Sequence, residues 1–388
     1  MNNFSRRIIK ISFVCITLFS LAMIGKFLYK VYEYKVGHWL PGYFLNLLHR
    51  ESWEEQVQGK KHLIVVLADH HEPGSGEKGI DVSRNWCAKY SDLMHDVYDH
   101  YGNRFRYTWF YPIDHDNRGV VSELCKLTRE GFGEIEVHWH NNNVDDDIFR
   151  QNLSQGLEML KSFGSFGLDK KGDRRFAYIA GNWNLDQGKF PDFNGVSRQI
   201  EILQSLGCYA DLTFSTVLSD AQPIKINSLY YAIDDDRPKS YDTGPDAEVG
   251  KKSDGLLMLQ GPSGFNFNYR YFEWGALESW LGIDFHRFTS MLEDSPTVIG
   301  RPDVRFMKFH THGIQSSDLV LSSNFKNFFN KIYEYCEDNN IILHYCSSRE
   351  AFNIIEAIED GVPGEIEDFR EYQISAPSNV VHFNKNNQ

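Results

Sequence analysis

Gly133-Glu-Ile-Glu-Val-His-Trp-His-Asn-Asn-Asn143 reads as a buried strand running into a polar loop. Side chains two apart on a strand project to one face, so His138 and His140 stand side by side. Two imidazoles in that arrangement suit a divalent metal, zinc first among them. Zinc takes neutral histidine nitrogens at about 2 Å, and a catalytic zinc keeps about three protein ligands and an open position for water. Two histidines are not enough, and the remaining ligands must come from elsewhere in the chain.

Two other strand-like runs supply candidates at their ends. Leu63-Ile-Val-Val-Leu-Ala-Asp69 leads into His70-His71-Glu72-Pro73, and Val304-Arg-Phe-Met-Lys-Phe309 leads into His310-Thr311-His312-Gly313. In a parallel β/α barrel the C-terminal strand ends converge on one face, where the active site is built. A metal held by His70, His138 and His140 is the expected centre. Asp69 is placed by sequence to take a proton from water, and His310 or His312 to give one to a leaving group. Strand parity sets Asp69 and His71 on one face and His70 and Glu72 on the other, so His71 or Glu72 enters the shell if the turn begins early.

The 388 residues are 41% hydrophobic and 24% charged, the composition of a folded globular chain. A formal net charge of -13 argues against nucleic acid as a partner, since phosphate binding needs a basic footprint. Aromatics at 14% suit a surface on which sugar rings lie flat. The six cysteines form no CxxC pair, which points to buried free thiols rather than a disulfide framework.

After Arg6, Arg7 and Lys10, residues 11–25 carry no charge, and Lys26-Phe-Leu-Tyr-Lys30 follows. Residues 8–29 are long enough to span a bilayer if Lys10 and Lys26 snorkel to the headgroups. The expectation is a single-pass anchor with a cytoplasmic tail at 1–7 and an exported body. A cleaved signal peptide is the rival reading. Residues 30–57 read as a juxtamembrane linker, 58–376 as the folded domain and 377–388 as a polar tail.

Strand-like runs recur near 62–69, 104–112, 133–140, 175–181, 208–214, 256–261, 304–310 and 340–346. Helical patterns at 82–101, 119–130, 145–163, 196–206, 324–338 and 349–359 lie between or after them. Such alternation implies βαβ units and a parallel sheet, here an α/β fold of the irregular (β/α)7-8 barrel type. Residues 215–272 form the irregular part, a long connection of the kind that walls a binding cleft.

An acidic-histidine turn after the first strand, a histidine motif after Glu-Ile-Glu-Val and Lys308-Phe-His-Thr-His-Gly313 near the end together resemble the polysaccharide deacetylase superfamily. Gly181-Asn-Trp183, Gly207-Cys-Tyr-Ala-Asp-Leu-Thr-Phe214 and Asp236-Arg-Pro-Lys-Ser-Tyr-Asp-Thr-Gly244 are similar to a subgroup linked to bacterial envelope polysaccharides. The resemblance covers roughly residues 62–350. It implies an irregular barrel, Asp69 as catalytic base, and His70 as a metal ligand where the family has a second aspartate. It implies His138 as a further ligand, with Asn142 at the family's second ligand position and His140 displaced from it by two. His310 or His312 matches the late general acid. The family's Arg-Pro-Pro-Tyr segment has no counterpart, and Arg174-Arg-Phe-Ala-Tyr-Ile-Ala-Gly-Asn-Trp183 stands at that place.

The activity implied is metal-dependent removal of N-acyl groups, acetyl first among them, from an envelope or exported polysaccharide, beside polysaccharide synthesis or export machinery. Glu72, Asn142, Asn182, Trp183 and Asp242 are candidates to touch the substrate. The alternative is a non-catalytic carbohydrate-binding barrel in polysaccharide assembly. A glycosidase ranks last, because it needs two carboxylates flanking the scissile bond and only Asp69 and Glu72 stand at a strand end. Each feature also has a plain reading: hydrogen-bonded histidines, a buried structural Asp69, and a solvated loop at Asp234 to Asp236.

Overall fold

The computed structural model describes residues 3–49, 52–189, 193, 195–266, 269 and 271–387. Met1 and Asn2 of the N-terminal tail, Arg50 and Glu51 of the linker stretch, and Gln388 of the C-terminal tail lie outside the described residues. The strands are β1 (Lys61–His70), β2 (Tyr107–Pro112), β3 (Gly133–Trp139), β4 (Gly167–Leu168), β5 (Arg174–Ala180), β6 (Cys208–Asp211), β7 (Leu229–Ala232), β8 (Leu256–Leu259), β9 (Gly264–Asn266), β10 (Tyr271–Glu273), β11 (Val304–Thr311) and β12 (Ile341–Cys346). The helices are α1 (Asn3–Glu33), α2 (Leu40–His49), α3 (Trp53–Gln56), α4 (Gly76–Met94), α5 (Arg118–Arg129), α6 (Asp146–Lys161), α7 (Gln199–Ser205), α8 (Phe285–Leu292), α9 (Ser317–Val320), α10 (Ser323–Asp338) and α11 (Ser348–Glu359).

Every residue of β1 is buried, as a strand covered on both faces must be. It lies next to the end strand β11 in a large, mostly parallel sheet ordered β11-β1-β2-β3-β5-β6-β8-β7. β12 pairs with the first part of β1 through Lys61–Val66, and β2 pairs with the last part through Ala68–His70. The β7–β8 and β4–β5 pairs are antiparallel, and β9 and β10 form a separate hairpin. No ladder joins β11 to β7 among the described residues, so the ladders themselves make a mixed α/β sheet with open ends.

Alternation along β1 divides the core. Leu63, Val65 and Leu67 pack with Trp86 and Tyr90 of α4, and Ile64, Val66 and Ala68 pack with Ala177, Ile179 and the α11 residues Ile354 and Ile355. Gly133 lets β3 start tight against β2: its φ is 153°, and a Cβ there would meet the Tyr107 carbonyl oxygen at 1.9 Å. The irregular 215–272 region holds β7, β8 and most of a hairpin, which the polar sequence around Leu229-Tyr-Tyr-Ala232 does not announce.

None of Ser12–Glu33 is buried, and this part of α1 is long and apolar enough to cross a membrane; a signal sequence would meet the same description. Residues 31–43, within the stretch read as a linker, pack on the body. Val36, Trp39, Leu40 and Tyr43 are buried with Val217, Ile226, Trp274 and Ala276. The stretch read as a polar tail also packs at Asn379, whose carbonyl accepts from Thr128 Oγ1 at 2.9 Å.

Candidate metal centre

His70 closes β1 on the face of Ile64, Val66 and Ala68, and is only 7% exposed. On β3 the same parity gives a polar column. Glu134 holds Arg349 of α11, Glu136 accepts from Tyr209 Oη at 2.6 Å and from Ala177 N–H at 2.7 Å, and His138 follows. The imidazole of His70 stands 4.8 Å from that of His138 and 4.5 Å from that of His312, centroid to centroid. His138 and His140 are 4.6 Å apart.

Glu72 sits among them. Its Oε1 lies 2.9 Å from His138 Nε2 and 3.5 Å from His140 Nε2. Ligand atoms of Glu72, His138 and His140 fall within 4.8 Å of one another, as do those of His70, Glu72 and His312. The sequence places Glu72 against the substrate, whereas the structure sets it at the meeting point of both triads, because the chain turns immediately after His70.

The outward ring nitrogens are engaged. His138 Nδ1–H donates to the Ile179 carbonyl at 3.0 Å, His140 Nδ1 faces Asp114 Oδ2 at 3.3 Å, and His312 Nδ1 faces Glu278 Oε1 at 2.8 Å. This is the arrangement that fixes the tautomer and aims Nε2 inward at metal sites. It also tests whether a cation fits. With Nδ1–H given to a carbonyl, His138 turns a lone pair toward the Glu72 carboxylate at 2.9 Å, and two facing acceptors need a positive charge, proton or metal, between them.

Burial, then the neighbouring His312 and His138, hold His70 well below the usual imidazole range, so its ring is neutral and able to ligate. Burial likewise lowers His138 against the pull of Glu72. Hydrogen bonds to Asp114 and Glu72 raise His140 to about 9. Burial pushes the Glu72 carboxyl up, but the hydrogen bonds with His138 and His140 prevail and keep it well below the carboxylate range. For His312 burial opposes protonation, and Glu278 overcomes it to raise the pKa.

Asp69 does not face this cluster. It is fully buried on the α4 side of β1, accepts Gly313 N–H at 2.5 Å and lies 3.2 Å from His71 Nδ1. The carboxylate of Asp69, expected as the base, ties β1 to the turn after β11. His310 pairs through its backbone with Gly275 and Leu277, and burial followed by the charge of Lys308 lowers its imidazole well below the usual range. His312 is the histidine of that pair whose ring lies against His70.

At the rim, a Cβ on Gly181 would meet His140 Cδ2 at 2.4 Å, so glycine is required directly after β5. Asn182 and Trp183 follow with φ of 54° and 56°, and Trp183 stays 39% exposed. Two consecutive left-handed residues are strained backbone of the kind retained at ligand sites. Asn142 is half-buried in the loop after His140, and its neighbour Asn141, fully buried, has an amide without a protein hydrogen bond. Asp242 lies elsewhere: it accepts Ile224 N–H at 3.1 Å and carries no described contact with the cluster. Asp114 and Glu278 were missed by sequence reading; Asp114 precedes His115 in Ile113-Asp-His-Asp116, and nothing local marks Glu278.

No family model matches the sequence, and no curated protein matches it. Among solved structures it is similar to an alpha-mannosidase from Enterococcus faecalis V583, with a TM-score of 0.37 and 11% identity over 79% of this chain and 30% of that one. The chain thus spans under a third of that protein, and an overlap this loose bears on neither fold family nor activity.

Proposed function

We propose that the chain is a membrane-anchored, metal-dependent hydrolase that removes N-acyl groups, acetyl first among them, from an amino-sugar polymer of the envelope or an exported polysaccharide. The observation that carries this is the convergence of His70, His138 and His140 on Glu72, with the Nδ1 atoms of His138 and His140 engaged outward. His70, His138 and His140 would hold the ion, zinc being the metal such a set suits. A bound divalent cation supplies Lewis-acid polarisation of the acyl carbonyl and lowers the pKa of water. Glu72, ionised and adjacent, takes the water's proton in place of Asp69. His312, whose pKa Glu278 raises against burial, gives a proton to the leaving amine. Asn182 and exposed Trp183 offer an amide and a flat aromatic face to a sugar ring.

The fold belongs with this reading as an irregular (β/α)7-8 barrel. Two bridging segments support closure. Ala247 N–H bonds Leu229 of β7, Glu248 bridges Ile299 in parallel, and Phe306 N–H of β11 bonds the Pro296 carbonyl, so irregular backbone fills the gap between the sheet ends. An exported body on a single-pass anchor would meet polysaccharide synthesis or export machinery at the membrane.

The test is metal analysis of the full chain together with acetate release from partly acetylated amino-sugar oligomers. About one equivalent of zinc or a similar ion and released acetate are expected, and both vanish in His138→Ala with the fold retained. Full activity in that variant would overturn the metal assignment.

A further inference from the structure

Beyond the polar centre the molecule holds a strongly apolar cavity, of about 640 Å³, between the C-terminal end of α1, α2 and the 271–281 segment. Phe27 and Val31 of α1, Phe44 of α2, Leu218, Trp274 and Trp280 line it. Of its lining residues Trp280 is 70% exposed, with Phe44 and Leu218 also exposed, and Leu48, the α2 neighbour of lining Leu47, is 79% exposed. Large apolar side chains gathered on one face beside a cavity mark an interaction surface.

What covers that face follows from where α1 ends. Ser12–Glu33 is 22 residues, roughly 33 Å of helix, which matches the hydrocarbon thickness of a bilayer. Val31 therefore falls where the chain leaves the membrane and Phe27 about 9 Å below that level, with Lys26 and Lys30 snorkelling their ammonium groups to the headgroups. The cavity is continuous with the unburied surface of α1. Trp280 sits where a tryptophan at a membrane–water boundary would sit. α2 and the residue before it are tied to the body, Trp39 Nε1 donating to the Val217 carbonyl at 3.0 Å and Asn46 Nδ2 to the Ile226 carbonyl at 3.1 Å.

We infer that this cavity and its rim seat the body on the bilayer, with lipid acyl chains filling the cavity and Phe44, Leu48, Leu218 and Trp280 dipping into the interface. This rests on α1 being a membrane span rather than a cleaved signal. It has a consequence for the metal centre, because one strip of chain serves both. Trp274, Trp280 and Leu281 line the cavity, Ala276 pairs with His310, and Glu278 holds His312 Nδ1. Glu278 is three residues from Leu281, a reach of at most about 11 Å. The site is thus held at the membrane surface, where a substrate still attached to or emerging from the bilayer is met.

The test uses the full chain reconstituted in phosphatidylcholine vesicles carrying doxyl-labelled lipid. In a Cys15→Ser background, the other five cysteines being buried, single cysteines at Phe19, Leu48, Trp280 and Lys171 each carry an environment-sensitive fluorophore. Labels at 19, 48 and 280 are expected to shift to shorter wavelength and be quenched at least two-fold more than the label at 171, which lies on an exposed turn of the body. If 19 reports lipid while 48 and 280 match 171, the seat is wrong and the anchor stands. If 19 matches 171 as well, anchor and seat fall together.

Discussion

Gly181 leaves its α-carbon bare against the ring of His140, and a Cβ there would stand 2.4 Å from Cδ2. The end of β5 thus sets how far the His140 ring can lean toward Glu72 and Asp114. Gly181→Ala must push the ring away or move the backbone, a strain of about 1–3 kcal/mol. We expect the variant to fold, to lose at least ten-fold in zinc affinity by competition with a chelator, and to show a midpoint of urea unfolding lowered accordingly. Unchanged affinity would mean that His140 is not a ligand.

Glu72 and Asp69 are three positions apart and point to opposite faces, so their substitutions separate chemistry from architecture. Glu72→Gln keeps the shape of the side chain and loses the charge, and should cost at least ~10²-fold in acetate release with stability nearly unchanged. Asp69→Asn should leave metal content intact. It weakens the charge-assisted acceptor for Gly313 N–H, and a loss of about 1–3 kcal/mol in unfolding free energy is expected. An Asp69→Asn protein of full stability and no activity would restore Asp69 as the base.

Much of this was legible in the chain. The eight apolar runs became strands because a parallel strand buried on both faces must be apolar, and parity alone put His138 in line with Glu134 and Glu136. The same parity sets Asp69 on the face opposite His70, since adjacent residues of a strand face opposite ways. Glu278 was illegible for a different reason. It follows the β9–β10 hairpin in the region read as irregular, and reaches His312 only because Ala276 bridges His310, a pairing of 34 residues' separation that no local pattern encodes. Helix α8 is short, but Asp284 caps it by accepting from His286 N–H at 2.8 Å, a signal present in the sequence and overlooked.

Asp186 pins the 234–244 loop, its Oδ2 accepting Ser240 N–H at 2.7 Å. Burial pushes this carboxyl up to about 7. The folded chain therefore keeps a proton that the unfolded chain releases near the ordinary aspartate value of about 3.9. Between those values the folded state binds more protons, so this group's contribution to stability falls as pH rises toward 7 and levels off above it. An amide in place of the carboxyl would accept the same N–H without ionising. Relative to wild type, Asp186→Asn should gain stability from pH 4 to 7, by at most about 1.4 kcal/mol per pH unit, read from urea midpoints at pH 5 and pH 8. A difference that does not change with pH would place the titration elsewhere.

The column beneath His138 rests on a buried ion pair. Arg349 Nε and Nη2 donate to the two Glu134 oxygens at 3.0 and 2.8 Å, and Nη1 donates to the Arg370 and Ile374 carbonyls at 3.1 and 2.8 Å. Both side chains are about 1% exposed, so removing one leaves a charge in a medium that cannot solvate it. Arg349→Met should cost about 3–5 kcal/mol, while Arg349→Met with Glu134→Leu should recover a large part of it, since a buried pair is often no more stable than an apolar replacement of its volume. Four donor contacts from one guanidinium also tie α11 to β3 and to the chain that follows Phe369. If the double variant is recovered in stability yet holds less zinc, the pair positions the strand that carries His138. If zinc content is recovered too, the pair serves the fold alone.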